Sequence, residues 1–118
     1  MTNLLHETLQ CMETYGLGPM DVEWVGSVEY GAFGWREFAF IAADTEYGAG
    51  YGFSEIAHDL TIVGADWWMT RDEYDGSEWW IFHRKPNKPA DAPGSFPRTI
   101  VTPQNEWGSE QSLKEMNP

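Results

Sequence analysis

The side chains that most often carry chemistry are few and scattered in this sequence. Cys11 is the single cysteine, and His6, His58 and His83 are widely separated. A zinc site needs several Cys or His ligands at short spacings, and neither HExxH nor CxxC occurs. Cys11 falls on the core edge of an amphipathic segment, where a cysteine acts as a small apolar side chain rather than as a nucleophile. The sequence therefore predicts neither a metal site nor a bound cofactor.

Carboxylates are the second candidate for chemistry, and they cluster at Asp72, Glu73, Asp75 and Glu78. Such a cluster can hold a hard cation, but its spacing does not match the EF-hand loop, so a solvated turn is the preferred interpretation. Acidic residues are so numerous along the chain that no pair of them identifies general acid–base catalysis. We therefore expect a protein that is not an enzyme.

The charge is strongly acidic and unevenly distributed. The chain of 118 residues has a formal net charge of −12, and residues 1–83 hold fifteen Asp or Glu against only Arg36 and Arg71. A domain with this charge repels nucleic acid and anionic membranes and attracts basic protein surfaces. With no basic leader at the N-terminus and no apolar run of about 20 residues, the expected compartment is intracellular.

The elements that would position these side chains are short. Leu5, Leu9 and Met12 form an apolar stripe that predicts a first helix, which begins after Thr2 or Asn3 and ends at Gly16, with Glu7 facing water. Further predictions are listed in chain order: a strand over 21–27, a helix over 35–43 burying Trp35, Phe38, Ile41 and Ala42, a glycine loop over 47–53, a helical turn over 54–58, a strand over 60–63, an edge strand over 98–101 and a helical turn over 109–116.

Residues 67–84 give the strongest local signal. Asp75-Gly76 separates WWMTRDEY from SEWWIFHR, a pattern typical of a β-hairpin. A two-residue loop would place Glu73 directly opposite Glu78, which like-charge repulsion disfavours, so the expected loop has three residues and pairs Tyr74 with Glu78. In either register the adjacent Trp residues point to opposite faces, and one aromatic face needs a second covering element or stays open for binding.

Together these elements predict an α+β fold. The expected architecture is a small antiparallel sheet around a central Trp-rich hairpin, packed by an N-terminal helix and one or two short helices. The chain is the size of one domain over 1–118, in which 85–97 is a Pro-rich connector and 98–118 a C-terminal extension.

Several segments also carry a resemblance. WVGS at 24–27, ADWWMTRDEYDGSEWW at 65–80, RKP at 84–86 and the Pro-rich tail after it resemble small acidic proteins of bacteriophages and prophages, over roughly residues 1–116. This group brings no established active site, so the resemblance implies no residue roles. It implies a context, the cytoplasm of a bacterial host, and membership among phage anti-defence proteins such as anti-CRISPRs and nucleic-acid mimics.

The leading hypothesis is a phage-encoded inhibitor that binds a basic surface of a host protein or ribonucleoprotein complex and does not itself bind nucleic acid or membrane. Acidic side chains interleaved with aromatics can occupy a groove that normally holds DNA or RNA. One alternative is a structural or accessory phage protein that associates through an exposed sheet edge, and another is a small carboxylate-dependent enzyme. The predicted partner-binding residues are Asp66, Trp67, Asp72, Glu73, Asp75, Glu78 and Trp79.

Overall fold

The computed structural model describes residues 1–48, 53–91, 94–101 and 111–117. The chain divides into two compact units, Met1–Pro86 and Asn87–Pro118. The composition was predicted to change after residue 85, and the second unit begins at residue 87. The predicted connector and C-terminal extension therefore fall almost wholly in the second unit.

The described residues of the first unit form two α-helices and seven strands, and the α+β class predicted from the sequence is confirmed. In chain order the elements are β1 (Thr2–Asn3), α1 (Leu4–Thr14), a 3-10 turn (Pro19–Asp21), β2 (Val22–Ser27), β3 (Gly31–Phe33), α2 (Trp35–Ala42), β4 (Glu46–Tyr47), β5 (Thr61–Gly64), β6 (Trp67–Tyr74) and β7 (Ser77–Arg84).

Helix α1 is capped at both ends as its sequence predicts. The Asn3 side chain accepts a hydrogen bond from the His6 amide at 3.0 Å, and Gly16 has a left-handed φ of 74° just beyond the helix. Leu4, Thr8 and Met12 are buried on one stripe, whereas Leu5 and Leu9, predicted to line the core with Met12, are only partly buried beside it. The expectation that Glu7 faces water is wrong, because its carboxylate binds Arg71.

Helix α2 begins and ends close to the predicted positions. Trp35 and Phe38 pack against the core and Ala42 is buried. Ile41 was expected to be buried with them, but it is 65% exposed. A helix of eight residues covers only a narrow strip of the sheet, and Ile41 lies beyond that strip.

Five strands form one antiparallel sheet in the order β3-β2-β5-β6-β7, and β1 pairs with β4 in a separate two-stranded ladder. The hairpin of β6 and β7 turns at Asp75-Gly76, as predicted. The preferred three-residue loop is wrong, because Tyr74 pairs with Ser77 and Glu73 lies opposite Glu78. Asp75 and Gly76 both have positive φ, 51° and 85°, which is the geometry of the tight two-residue turn.

The core lies between one face of this sheet and the two helices. We call this the helix-side face, and the opposite one the outer face. The buried apolar residues are Leu4, Met12, Val25, Ala42, Tyr47, Ile62, Trp67, Met69 and Trp80. The Trp67 indole lies directly over Gly64, where any side chain would collide with it. The opposite orientation of neighbouring Trp residues is confirmed, since Trp67 is 2% exposed and Trp68 38%.

Two smaller predictions differ from the structure or lie partly outside the described residues. Residues 54–58 form no helical turn, because Glu78 accepts hydrogen bonds from the amides of Glu55 and Ile56 and holds this segment against β7. Tyr47, placed in the glycine loop, is a strand residue paired with Thr2. Residues 49–52 of that loop lie outside the described residues.

In the second unit, residues 98–101 form no strand. The Asn117 side chain instead bonds both backbone groups of Thr99, donating to its carbonyl at 2.9 Å and accepting from its amide at 3.2 Å. The predicted last helical turn is present as α3 (Leu113–Met116), capped by Ser112. Residues 109 and 110 of that prediction lie outside the described residues.

Candidate protein-binding surface

A buried group of charges fixes the hairpin to the rest of the first unit. The Arg71 guanidinium donates to Glu7 at 2.9 Å, to Glu78 at 3.0 Å and to the Tyr47 hydroxyl at 3.1 Å. The side chains of Arg71 and Glu78 are 3% and 2% exposed. The Tyr47 hydroxyl donates in turn to the Glu7 carboxylate at 2.7 Å. We call Glu7, Tyr47, Arg71 and Glu78 the buried charge network.

The network changes the acidity of its members. Burial raises the pKa of Tyr47 to about 12, since a phenolate there would lose its hydration. Burial opposes the charge on Arg71, but its hydrogen bonds to Tyr47, Glu7 and Glu78 outweigh that cost and raise its pKa. Arg71 is therefore a permanent internal cation.

Aromatic rings enclose this cation and join the hairpin to α1. The Arg71 guanidinium lies 4.8 Å from the Trp80 ring centre and 5.5 Å from that of Tyr47. The Trp80 indole N–H donates to the buried Thr8 hydroxyl at 2.9 Å. Trp80, predicted only as an aromatic of the hairpin, is thus an anchor between α1 and β7.

The turn end of the hairpin presents the opposite environment. Asp72, Glu73 and Asp75 are exposed, and both ion pairs identified among the described residues belong to Arg71 instead. Tyr74 is 75% exposed and Trp79 38%. Asp72 lies directly opposite Trp79, and Tyr74 continues the same face of β6. We call Asp72, Glu73, Tyr74, Asp75 and Trp79 the hairpin tip.

The structure brings together only part of the predicted contact surface. Asp72, Glu73, Asp75 and Trp79 share the tip, but two other predicted contact residues are buried. Glu78 is 4% exposed because it is held by Arg71, and Trp67 is 2% exposed because it fills the core. Both are therefore corrected from surface to interior residues.

Asp66 is exposed but lies at the other end of β6 from the tip. An eight-residue strand spans about 25 Å, so Asp66 does not share a compact surface with Asp72 and Asp75.

The outer face carries a row of side chains that crosses four strands. Trp24 pairs with Val63, Val63 with Trp68, and Trp68 with His83. The Trp68 and His83 rings stack at 5.1 Å, and His83 Nε2 lies 2.9 Å from the Thr70 hydroxyl. Sequence alternation indicated that one aromatic face would need a cover or a ligand, but not that these four residues would align.

Sequence reasoning missed the buried charge network. Glu7 and Arg71 are 64 residues apart, and no local pattern links them. A usable signal was present in Arg71 itself, a cation at a core-facing strand position two residues after Met69. An inward-facing charge needs buried partners of opposite sign, so such a position calls for carboxylates.

Within the described residues, no group of three or more His, Cys, Asp or Glu side chains is placed to hold a metal ion. None of the helices in the described ranges has the length and hydropathy of a membrane span. Burial is the main reason that the pKa of the Cys11 thiol is raised, with Glu7 adding to the effect. A raised pKa disfavours the thiolate that a nucleophilic cysteine requires.

No family model matches the chain, and no curated protein or solved structure matches it significantly.

Proposed function

We propose that the protein is a phage-encoded inhibitor that binds a basic surface of a host nucleic-acid-handling complex through the hairpin tip. An anti-CRISPR or anti-restriction protein of the bacterial cytoplasm is the class we have in mind. The tip would occupy a site that normally holds a nucleic-acid backbone, and no catalytic step is involved.

One observation carries the proposal: the hairpin's cation, Arg71, is buried, while its tip carboxylates, Asp72, Glu73 and Asp75, are exposed. Arg71 pairs with both Glu7 and Glu78, which leaves that group with one net negative charge, and the rest of residues 1–83 holds thirteen acidic side chains and a single basic one, Arg36. The tip carboxylates are therefore free to pair with basic groups on a partner. Trp79 and Tyr74 supply aromatic area of the kind that often anchors protein interfaces.

The test compares two variants with the same change in net charge. Asp72→Lys with Glu73→Lys reverses the tip, and Glu23→Lys with Asp44→Lys reverses two exposed acids elsewhere. Partners captured from a nuclease-treated host lysate should bind the control variant and lose affinity for the tip variant. Binding of wild type should weaken as salt rises, because charges are screened over about 8–10 Å at physiological ionic strength.

Both variants should melt near the wild-type temperature, since all four positions are exposed. The proposal fails if the two variants bind partners equally well, or if the wild-type protein shifts a DNA or RNA probe at moderate salt. Reversal at Glu78 is unsuitable for this test, because that residue is buried in the charge network.

A second candidate function rests on a different feature. Strand β7 is the last strand of the five-stranded sheet, and an exposed edge strand is a common site of self-association. A structural or accessory protein that pairs with copies of itself would use this edge.

A further inference from the structure

Strand β7 presents a row of backbone groups to one side. In a hairpin with a two-residue loop, the residues flanking the loop exchange hydrogen bonds, so Ser77, Trp79, Ile81 and His83 bond to β6. The backbone N–H and C=O groups of Glu78, Trp80, Phe82 and Arg84 then point away from the sheet. Across the described ranges, no hydrogen bond to these outward groups occurs. The edge is therefore able to accept another strand.

A groove runs beside this edge, and α1 forms its wall. Glu7, Gln10, Cys11 and Thr14 follow one another at helical spacing, and with Glu13, Trp79 and Trp80 they line an open cavity of about 740 Å³. The wall is firmly held, because Trp80 bonds Thr8 and the Phe82 ring stacks on Tyr15 at 3.9 Å. An edge strand beside a fixed helix is the arrangement that binds an extended peptide by strand addition.

Side chains of an added strand would meet this groove at every second position. Residues 78, 80 and 82 have side chains on the helix-side face, so strand residues aligned with them point toward α1, about 7 Å apart. They would encounter the Glu13 carboxylate, which is suited to a cation.

Charge also decides between two possible occupants. Pairing of β7 with β7 of a second copy would bring two acidic α1 walls together, each from a chain of net charge −12. A basic segment meets the same wall with favourable electrostatics.

We infer that β7 and α1 form a peptide-binding groove that captures an extended segment with Arg or Lys at alternate positions, as a sixth strand of the sheet. The inference deepens the proposed function and rests on it for the basic character of the partner. It adds a recognition mode in which backbone hydrogen bonds provide the register and the groove selects basic side chains.

The test uses an eight-residue peptide that alternates Arg with Val, together with a Glu–Val peptide of the same design. The Arg–Val peptide should bind wild type at low salt, and slow the amide hydrogen exchange of Glu78, Trp80 and Phe82. It should also slow alkylation of Cys11, the only thiol in the chain and a groove residue. The Glu–Val peptide should do neither.

Two further peptides report on strand pairing itself. In one peptide the backbone nitrogens of the Arg residues are methylated, and in the other those of the Val residues. Only every second residue of an added strand directs its N–H toward β7. One peptide should therefore lose affinity by at least about tenfold, and the other should bind as the unmethylated peptide does. Equal binding of both methylated peptides would overturn strand addition.

Protein variants separate the groove from general charge attraction. Gln10→Lys with Glu13→Lys should lower affinity for the Arg–Val peptide by at least about tenfold. Glu23→Lys with Asp44→Lys is the control: it changes the net charge by more, but outside the groove, and should lower affinity less. Equal losses in the two variants would refute the groove. Concentration-dependent self-association that protects the same three amides without peptide would assign the edge to a second copy instead.

The two proposals can fail separately. If lysate partners depend on the tip acids but the groove variant and the methylated peptides have no effect, the groove proposal is wrong and the tip proposal stands. If the peptide binds as described while no partner depends on the tip acids, the tip proposal is wrong and the groove proposal stands.

Discussion

Glu73 and Glu78 lie directly opposite each other on β6 and β7, yet they belong to two different regions of the molecule. Glu78 is 4% exposed, and its carboxylate accepts hydrogen bonds from Arg71 and from the amides of Glu55 and Ile56. Glu73 is exposed, and the other charged residues of the tip, Asp72 and Asp75, are also acids.

The difference shows that one short hairpin contains both a structural part, around Glu78, and a part that is free to bind another molecule, around Glu73. Arg71 is placed two residues before Glu73 on the same face and diagonally across from Glu78, which it neutralises. Repulsion between the two opposed glutamates is therefore offset inside the protein. The acids beyond Arg71 have no such partner among the described residues, so their charge is available to another molecule.

Removal of Arg71 should cause the largest loss of stability, because Arg71 holds the structural part of the hairpin. Arg71→Met leaves the buried Glu78 and the partly buried Glu7 without their cation, and breaking a buried ion pair in this way costs about 3–5 kcal/mol. The free energy of unfolding in urea measures this loss. Arg36→Met, which removes an exposed cation, should change stability by less than about 0.5 kcal/mol. Similar losses in the two variants would mean that the network does not stabilise the fold.

Neutralising each opposed glutamate should sharpen the contrast. Glu78→Gln keeps the shape of the side chain but removes the charge that Arg71 and two amides bind, at a cost of about 1.5–3 kcal/mol. Glu73→Gln should stay within about 0.5 kcal/mol of wild type, with a small gain from the relief of like-charge repulsion. Chemical denaturation of the two variants side by side gives the answer. A larger loss of stability in Glu73→Gln than in Glu78→Gln would mean that Glu73, and not Glu78, is the glutamate held inside the protein.

The sequence predicted those parts of the fold that depend on local patterns. The stripe of α1, the Asp75-Gly76 turn and the alternation of Trp67 and Trp68 are each determined within a few residues. The helix over 35–43 was predicted for the same reason, because its apolar spacing is helical.

The errors arise where a distant residue decides the structure. The hairpin register was chosen from the repulsion between Glu73 and Glu78, and the neutralising role of Arg71 depends on Glu7, a residue of α1. Residues 54–58 have a helix-capping serine but donate their amides to Glu78. Tertiary contacts of this kind override local preference and leave no local pattern in the chain.

For the candidate site, composition predicted the acidic tip but not which acids reach the surface. Four of the seven predicted contact residues share the tip. Trp67 and Glu78 are interior because of the strand alternation that places them on the helix-side face. The choice of face depends on where α1 packs, and the sequence of the hairpin alone does not contain that information.

The smallest expected effect concerns pH and the Tyr47 hydroxyl of the network. Its pKa is raised to about 12 in the folded protein, compared with about 10 in an unfolded chain. Above pH 10 the unfolded state therefore releases this proton first, so the stabilising contribution of the buried phenol is complete below about pH 10 and is lost as the pH approaches 12.

Tyr47→Phe should remove this alkaline dependence, since phenylalanine does not titrate. We expect wild-type stability, measured by urea unfolding at pH 8, 10 and 11, to fall more steeply than that of Tyr47→Phe. At pH 8 the variant should be less stable by about 1–2 kcal/mol, because Arg71 and Glu7 each lose a hydrogen bond. Tyr74→Phe is the matched control, since Tyr74 is 75% exposed at the tip and should leave the alkaline slope unchanged. Parallel slopes for wild type and Tyr47→Phe would show that the phenol is not held by the buried charge network, and the contrast between the two ends of the hairpin would then depend on Arg71 and the two glutamates alone.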